Sequence, residues 1–73
     1  MITTVLEIEG MVCAMCEAHI NDAIRNAFAV KKVKSWRQKN RTEIKSEAPL
    51  PEEELRRVIS ATGYTLKGVS VSD

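Results

Sequence analysis

The sequence predicts an α+β domain, one sheet carrying two helices, and three observations point to it. Residues 2–9 alternate as a strand does, two later stretches repeat apolar residues at helical spacing, and a basic, hairpin-like segment lies between them. "ITTVLEIE" (2–9) sets Ile2, Thr4, Leu6 and Ile8 on one face and Thr3, Val5, Glu7 and Glu9 on the other, the pattern of a half-buried strand. Gly10 breaks it. From Ala14 to about Phe28, the residues Ile20, Ala23, Ile24, Ala27 and Phe28 form one apolar stripe. Glu17 and Asp22 lie toward the start of that helix and Arg25 toward its end, as the helix dipole favours.

"KKVKSWRQ" and "RTEIKSE" flank "KN" and read as two strands joined by a tight turn. Val33, Ser35, Thr42 and Ile44 share the inward register, and Trp36 points to the opposite face. In "APLPEEELRRVISATG", Pro51 suits the first helical position and Glu52, Glu53 and Glu54 the first turn. Leu55, Val58, Ile59 and Thr62 make the stripe, and Gly63 supplies the left-handed residue that ends the helix. "YTLKGVSV" is the last strand, with an interruption expected at Gly68. Strand, helix, strand, strand, helix, strand is the order of the split βαβ, or ferredoxin-like, sandwich: four antiparallel strands with both helices on one face. The other sheet face stays uncovered, so Trp36 is expected to be a partly exposed aromatic.

Seventy-three residues are expected to make a single domain spanning 1–73, near the lower limit for an unstapled core. Hydrophobic residues are 44% of the chain but aromatics only 4%, so aliphatic side chains must build that core. A net charge of +1 argues against bulk attraction to nucleic acid or to an anionic membrane. No run is long and apolar enough to span a bilayer, and "MITTVLEIEG" lacks the features of a signal peptide, so a cytoplasmic address is expected. Two cysteines cannot form a multi-bridge framework, and in a reducing compartment both are thiols.

Those cysteines carry the chemistry. In "GMVCAMCEAHI" (10–20), Cys13 and Cys16 fall between the first strand and the first helix, so Cys16 belongs in or near the first helical turn. Backbone N–H groups and the positive dipole end there favour thiolate, the metal-binding form. Structural zinc takes four protein ligands and catalytic zinc three, whereas the chain has two thiols and one histidine. His19, three residues after Cys16, is a possible additional ligand, against the plainer reading of a histidine on the helix flank. Cu(I) is soft, prefers thiolate and accepts few ligands, which fits the pair; Hg(II), Cd(II) and Zn(II) stand as alternatives. A thiol–disulfide oxidoreductase also uses CxxC at a strand–helix junction. Here the intervening residues are Ala14 and Met15, no tryptophan precedes the pair, and the element order does not match, so no enzyme activity is expected.

"GMVCAMC" at this place in the element order resembles the heavy-metal-associated domain family, whose signature is GMxCxxC. The likeness runs from the first strand through Val30 and Val33 to "ATGYTL". It implies a metallochaperone, or the metal-binding domain of a copper transporter, that carries Cu(I) or another soft ion. Cys13 and Cys16 then look like the metal ligands and Met11 like the methionine that packs beneath the loop. Tyr64 looks like an aromatic that faces the site and tunes the thiolates, and the alternative is a ring that only covers the core. Met15 is expected to point to solvent. Val12 departs from the polar residue many members have there, so side-chain hydrogen bonding to sulfur is expected to be missing. Ser35, Arg37 and Thr42 depart from the β-branched apolar residues usual in the hairpin.

The implied partner is the CxxC domain of a copper-transporting P-type ATPase or a similar protein. A monomer is expected, with a metal-bridged dimer as the alternative. Lys31, Lys32, Lys34, Arg37, Lys39, Arg41 and Lys45 crowd the hairpin, with Glu43 the sole acid among them. Two readings stand for that cluster: a solvated hairpin whose lysines discourage edge pairing, and a docking patch for an acidic partner. RNA recognition modules share the element order, but Trp36 alone makes no stacking platform and their aromatic motif is missing, so no nucleic acid is expected.

Overall fold

One of the two inner strands of the sheet is β1 (Ile2–Glu9), which pairs antiparallel on both sides in the computed structural model, where residues 1–72 are described. The remaining elements are α1 (Ala14–Ala27), β2 (Lys32–Trp36), β3 (Arg41–Ser46), α2 (Glu52–Ala61) and β4 (Thr65–Ser72). The sheet order is β2-β3-β1-β4, all neighbours antiparallel, which is the ferredoxin-like βαββαβ topology. The alternation in β1 is as expected: Thr4, Leu6 and Ile8 are fully buried while Glu7 and Glu9 are exposed. Leu6, Ile8, Val33 and Ile44 from the sheet meet Ile20 and Ile24 from α1 and Leu55 and Ile59 from α2 in one aliphatic core.

The stripe on α1 is a row at intervals of four: Ile20, Ile24 and half-buried Phe28, with Cys16 as its first member. Ala27, expected on that stripe, is exposed. It is the last residue of the helix, where a one-carbon side chain falls short of the packed layer. On α2, Pro51 is the N-cap rather than the first helical residue; its φ of −66° is followed by a ψ of 128°, and its carbonyl accepts the N–H of Leu55. Gly63 takes φ +92° just past the end of α2, as the stop signal requires.

The hairpin turn is longer than the two residues expected from "KN". It spans 37–40, with the Lys39 N–H donating to the Trp36 carbonyl and Asn40 left-handed at φ 52°. The reason is a long-range contact. The Arg37 N–H donates to Glu17 Oε2 at 2.7 Å, which takes it out of the strand ladder and stops β2 at Trp36. The interruption near Gly68 is a register shift: Glu7 faces Gly68 and Ile8 faces Leu66, leaving Lys67 as the extra residue. Leu66 and Val69 are three apart, so strict alternation would send one outward. The bulge lets both lie against the core.

The polar hairpin positions form a buried network. Ser35 donates to Asn21 Oδ1 at 2.7 Å and lies 2.8 Å from the Thr42 hydroxyl, which therefore donates to Ser35. Ser35 and Thr42 are both buried, so the network ties α1 to the hairpin where apolar packing would otherwise do so. Ser35→Ala is expected to cost about 1–3 kcal/mol, because Thr42 is left without its acceptor in a closed site. Urea unfolding of the two proteins gives the difference directly; coincident midpoints would show that the network contributes nothing.

Candidate metal centre

The two thiols sit where β1 runs into α1. After Gly10, at φ +105°, the chain turns back over the end of the sheet, and Met11 inserts into the core with 3% of its surface exposed. That anchor holds the loop from below. Cys13 is the N-cap of α1; its carbonyl accepts the N–H groups of Cys16 and Glu17. No side chain caps the helix, so the first-turn N–H groups and the positive dipole end serve the cysteine region instead.

The pair is asymmetric. Cys13 is exposed and Cys16 buried, because Cys16 belongs to the core-facing row Cys16–Ile20–Ile24 while Cys13 precedes the helix. The sulfur atoms lie 3.2 Å apart. Cys16 is held well below the ordinary thiol range, at about 6 against 9.0, and the Tyr64 hydroxyl is the main cause. The Val12 backbone N–H, the Cys13 thiol and the Cys13 N–H also favour the thiolate; partial burial opposes them. In return the thiolate pushes the Tyr64 phenol upward, since a second negative charge beside sulfur is unfavourable.

Tyr64 is thus brought to the sulfurs from the end of α2, and Gly10 makes room for it. A Cβ at position 10 would stand 3.0 Å from Tyr64 Cδ1, so the ring lies directly on the glycine backbone. The positive φ and the absent side chain at Gly10 are both used. Sequence reasoning took this glycine as the end of a strand and the first residue of the motif, and gave its missing side chain no task; the aromatic facing it, after Gly63, was the available signal. Val12 is 82% exposed and its hydrocarbon side chain can offer sulfur no hydrogen bond, but the Val12 main-chain N–H supplies polarity that its side chain does not.

His19 is exposed on the flank of α1. Among the described residues, no group of three or more His, Cys, Asp and Glu comes together. Met15 is exposed, as expected, and with Val12 forms an apolar rim beside Cys13. Glu17, next to Cys16, was read from the sequence only as a favourable charge. Its carboxylate grips the Arg37 N–H and approaches the Arg37 guanidinium at 3.4 Å, tying the first turn of α1 to the hairpin turn.

No family model matches the chain, and no curated protein matches its sequence. Solved structures do. A copper binding domain from HMA7, a P-type ATPase, superposes with a TM-score of 0.79 at 22% identity, over 100% of this chain and 96% of that one. The N-terminal domain of ZntA in its Zn(II) form gives 0.80 at 18% identity, over 90% and 89%. The copper chaperone Atx1 from Synechocystis PCC6803 gives 0.73 at 27% identity, over 86% and 97%. These likenesses establish the ferredoxin-like fold over nearly the whole chain.

Proposed function

We propose that this domain binds a soft metal ion, Cu(I) foremost, between Cys13 and Cys16, and passes it to a partner without catalysing a reaction. The observation that carries this reading is a pair of sulfur donors 3.2 Å apart, one exposed and one buried, at the start of a helix. The copper chaperone and the copper-binding ATPase domain that share the fold support it. A thiolate needs no activation to bind, and Cys16 is already largely ionised near neutral pH.

The asymmetry suggests an order of exchange. An incoming partner thiolate meets the exposed Cys13 first, so the Cys13–metal bond breaks as the new sulfur–metal bond forms. Cys16, backed by the core and by Tyr64, releases last. The metal keeps its charge throughout, and no redox step is needed. The apolar rim of Val12 and Met15 surrounds that approach, where a partner's CxxC loop of complementary shape would exclude water. The partner that suits this chemistry is a CxxC domain such as that of a copper-transporting P-type ATPase.

Titrating the reduced protein with Cu(I) against a strong chelator tests the reading. One equivalent is expected to be retained, and Cys13→Ala/Cys16→Ala is expected to lose it. Equal retention by the double variant would end the proposal. Zn(II) is the second reading, favoured by the Zn(II) form of the ZntA domain on the same fold. If Zn(II) is the cargo and His19 a ligand, His19→Ala weakens Zn(II) far more than Cu(I). Equal losses, or none, leave the two sulfurs as the ligands.

A further inference from the structure

The charge that is nearly balanced over the chain is not balanced over its surface. Register places Lys32, Lys34 and Trp36 of β2 beside Lys45, Glu43 and Arg41 of β3, in that order, while Val33, Ser35, Thr42 and Ile44 face the core. The outer side chains therefore share the uncovered sheet face. Lys39 joins them from the turn, with its Nζ 5.9 Å from the centre of the Trp36 ring; Lys34 Nζ is 5.4 Å from it.

Among the described residues, none of Lys32, Lys34, Lys39, Arg41 and Lys45 has a carboxylate within 4.0 Å; the ion pairs engage other cations. Lys31 and Arg37, the other members of the basic segment, are neutralised by Glu47 and Glu17. Lys32 and Lys45 stand directly opposite each other across the ladder, an arrangement that destabilises a sheet in water. Lys32, Lys34, Lys45, Trp36 and Glu43 line a shallow depression of about 180 Å³ on this face. An anionic ligand spread over the face would relieve that repulsion.

We infer that the β2–β3 half of the open sheet face is a docking surface for an anionic phospholipid bilayer, reached peripherally and without insertion. Charge complementarity supplies the attraction, and the composition of the face selects this occupant. Protein interfaces are depleted in lysine at their centres and rely on apolar anchors; here Lys32, Lys45 and Trp36 flank the Lys34–Glu43 rung, and none of the exposed large apolar residues, Met1, Val12, Met15 and Val71, belongs to β2 or β3. A fluid bilayer needs no preformed complement, because its headgroups can move beneath each ammonium. Tryptophan suits the headgroup layer, where an apolar ring meets polar surroundings. Single-stranded nucleic acid would need a free aromatic face for stacking, whereas two ammonium groups already sit over the Trp36 ring.

This inference does not depend on the metal reading, and its test is run on metal-free protein. Vesicles of phosphatidylglycerol in phosphatidylcholine are expected to sediment the protein at low ionic strength, whereas pure phosphatidylcholine vesicles leave it in the supernatant. Emission from Trp36, the single tryptophan of the chain, is expected to shift to the blue on binding. Salt near 1 M, where the Debye length falls to about 3 Å, releases the protein. Each lysine removed from an anionic surface weakens binding about fivefold, so Lys32→Gln/Lys34→Gln/Lys45→Gln should weaken it about a hundredfold. Lys31→Gln, at a lysine paired with Glu47, should change it little. Circular dichroism checks that the triple variant is folded, and Cys13→Ser/Cys16→Ser should bind vesicles as the wild type does. Failure to sediment, equal binding to neutral vesicles, or undiminished binding by a folded triple variant overturns the inference. So does capture by polyglutamate or an RNA homopolymer without capture by vesicles.

Discussion

Ile20→Ala is expected to lower the stability of the metal-free domain by about 2–5 kcal/mol. Ile20 is fully buried, one helical turn from Cys16 and one from Ile24, and meets the inward residues of the sheet and of α2 in the same core. Alanine removes three carbons and leaves a cavity that a rigid sheet cannot close. A chain of this length is stabilised by about 4–11 kcal/mol in all, so the loss is a large fraction of the total. Thermal unfolding should show it as a fall of at least about 8 °C in midpoint. Saturating Cu(I) should recover part of that fall if the metal reading is right, because a ligand of the folded state adds its binding free energy to folding. A variant as stable as the wild type would contradict the core described above.

Tyr64→Phe is expected to change the chemistry of the site more than its shape. The phenol is the largest influence holding Cys16 at about 6, so its removal moves the thiol upward toward 9.0. At neutral pH the variant carries less thiolate and should react more slowly with iodoacetamide, the deficit closing as the pH approaches the ordinary thiol range. Following alkylation of Cys16 across pH in Cys13→Ser and Cys13→Ser/Tyr64→Phe proteins measures the difference on one sulfur. Identical profiles would show that the ring only covers the core. The same shift bears on stability. Cys16 loses its proton more readily folded than unfolded, so its contribution is fully present above about 9 and disappears as the pH falls through about 6. The variant should show a weaker dependence in that window.

Much of the fold could be read from local pattern. Alternation in 2–9, the run Ile20–Ile24–Phe28 and the glutamates after Pro51 each report on a few neighbouring residues, and local geometry decides their period. Ala27 and Pro51 departed from expectation at helix ends, for local reasons; the departures in the hairpin fell where a distant residue intervenes. Glu17 claims the Arg37 N–H and lengthens the turn; Asn21 completes a buried network with Ser35 and Thr42 that resembles a weak core only when the hairpin is viewed alone. The site follows the same division. The stripe was read from Ile20 onward; the structure extends it back four residues to Cys16, which makes that thiol the core-facing one.

By itself, then, the amino-acid order determined the succession of elements, the aliphatic core and the placing of two thiols at a strand–helix junction. Only tertiary structure seated Tyr64 on Gly10 beside Cys16, opened Lys67 into a bulge so that Leu66 and Val69 both face inward, and gathered on one sheet face five cations that have no ion-pair partner among the described residues. The physical reason is range. Helical and strand periods are set by neighbours along the backbone, whereas cross-strand register and loop closure join residues far apart in the chain, and a net charge carries no information about which side of a sheet its members occupy.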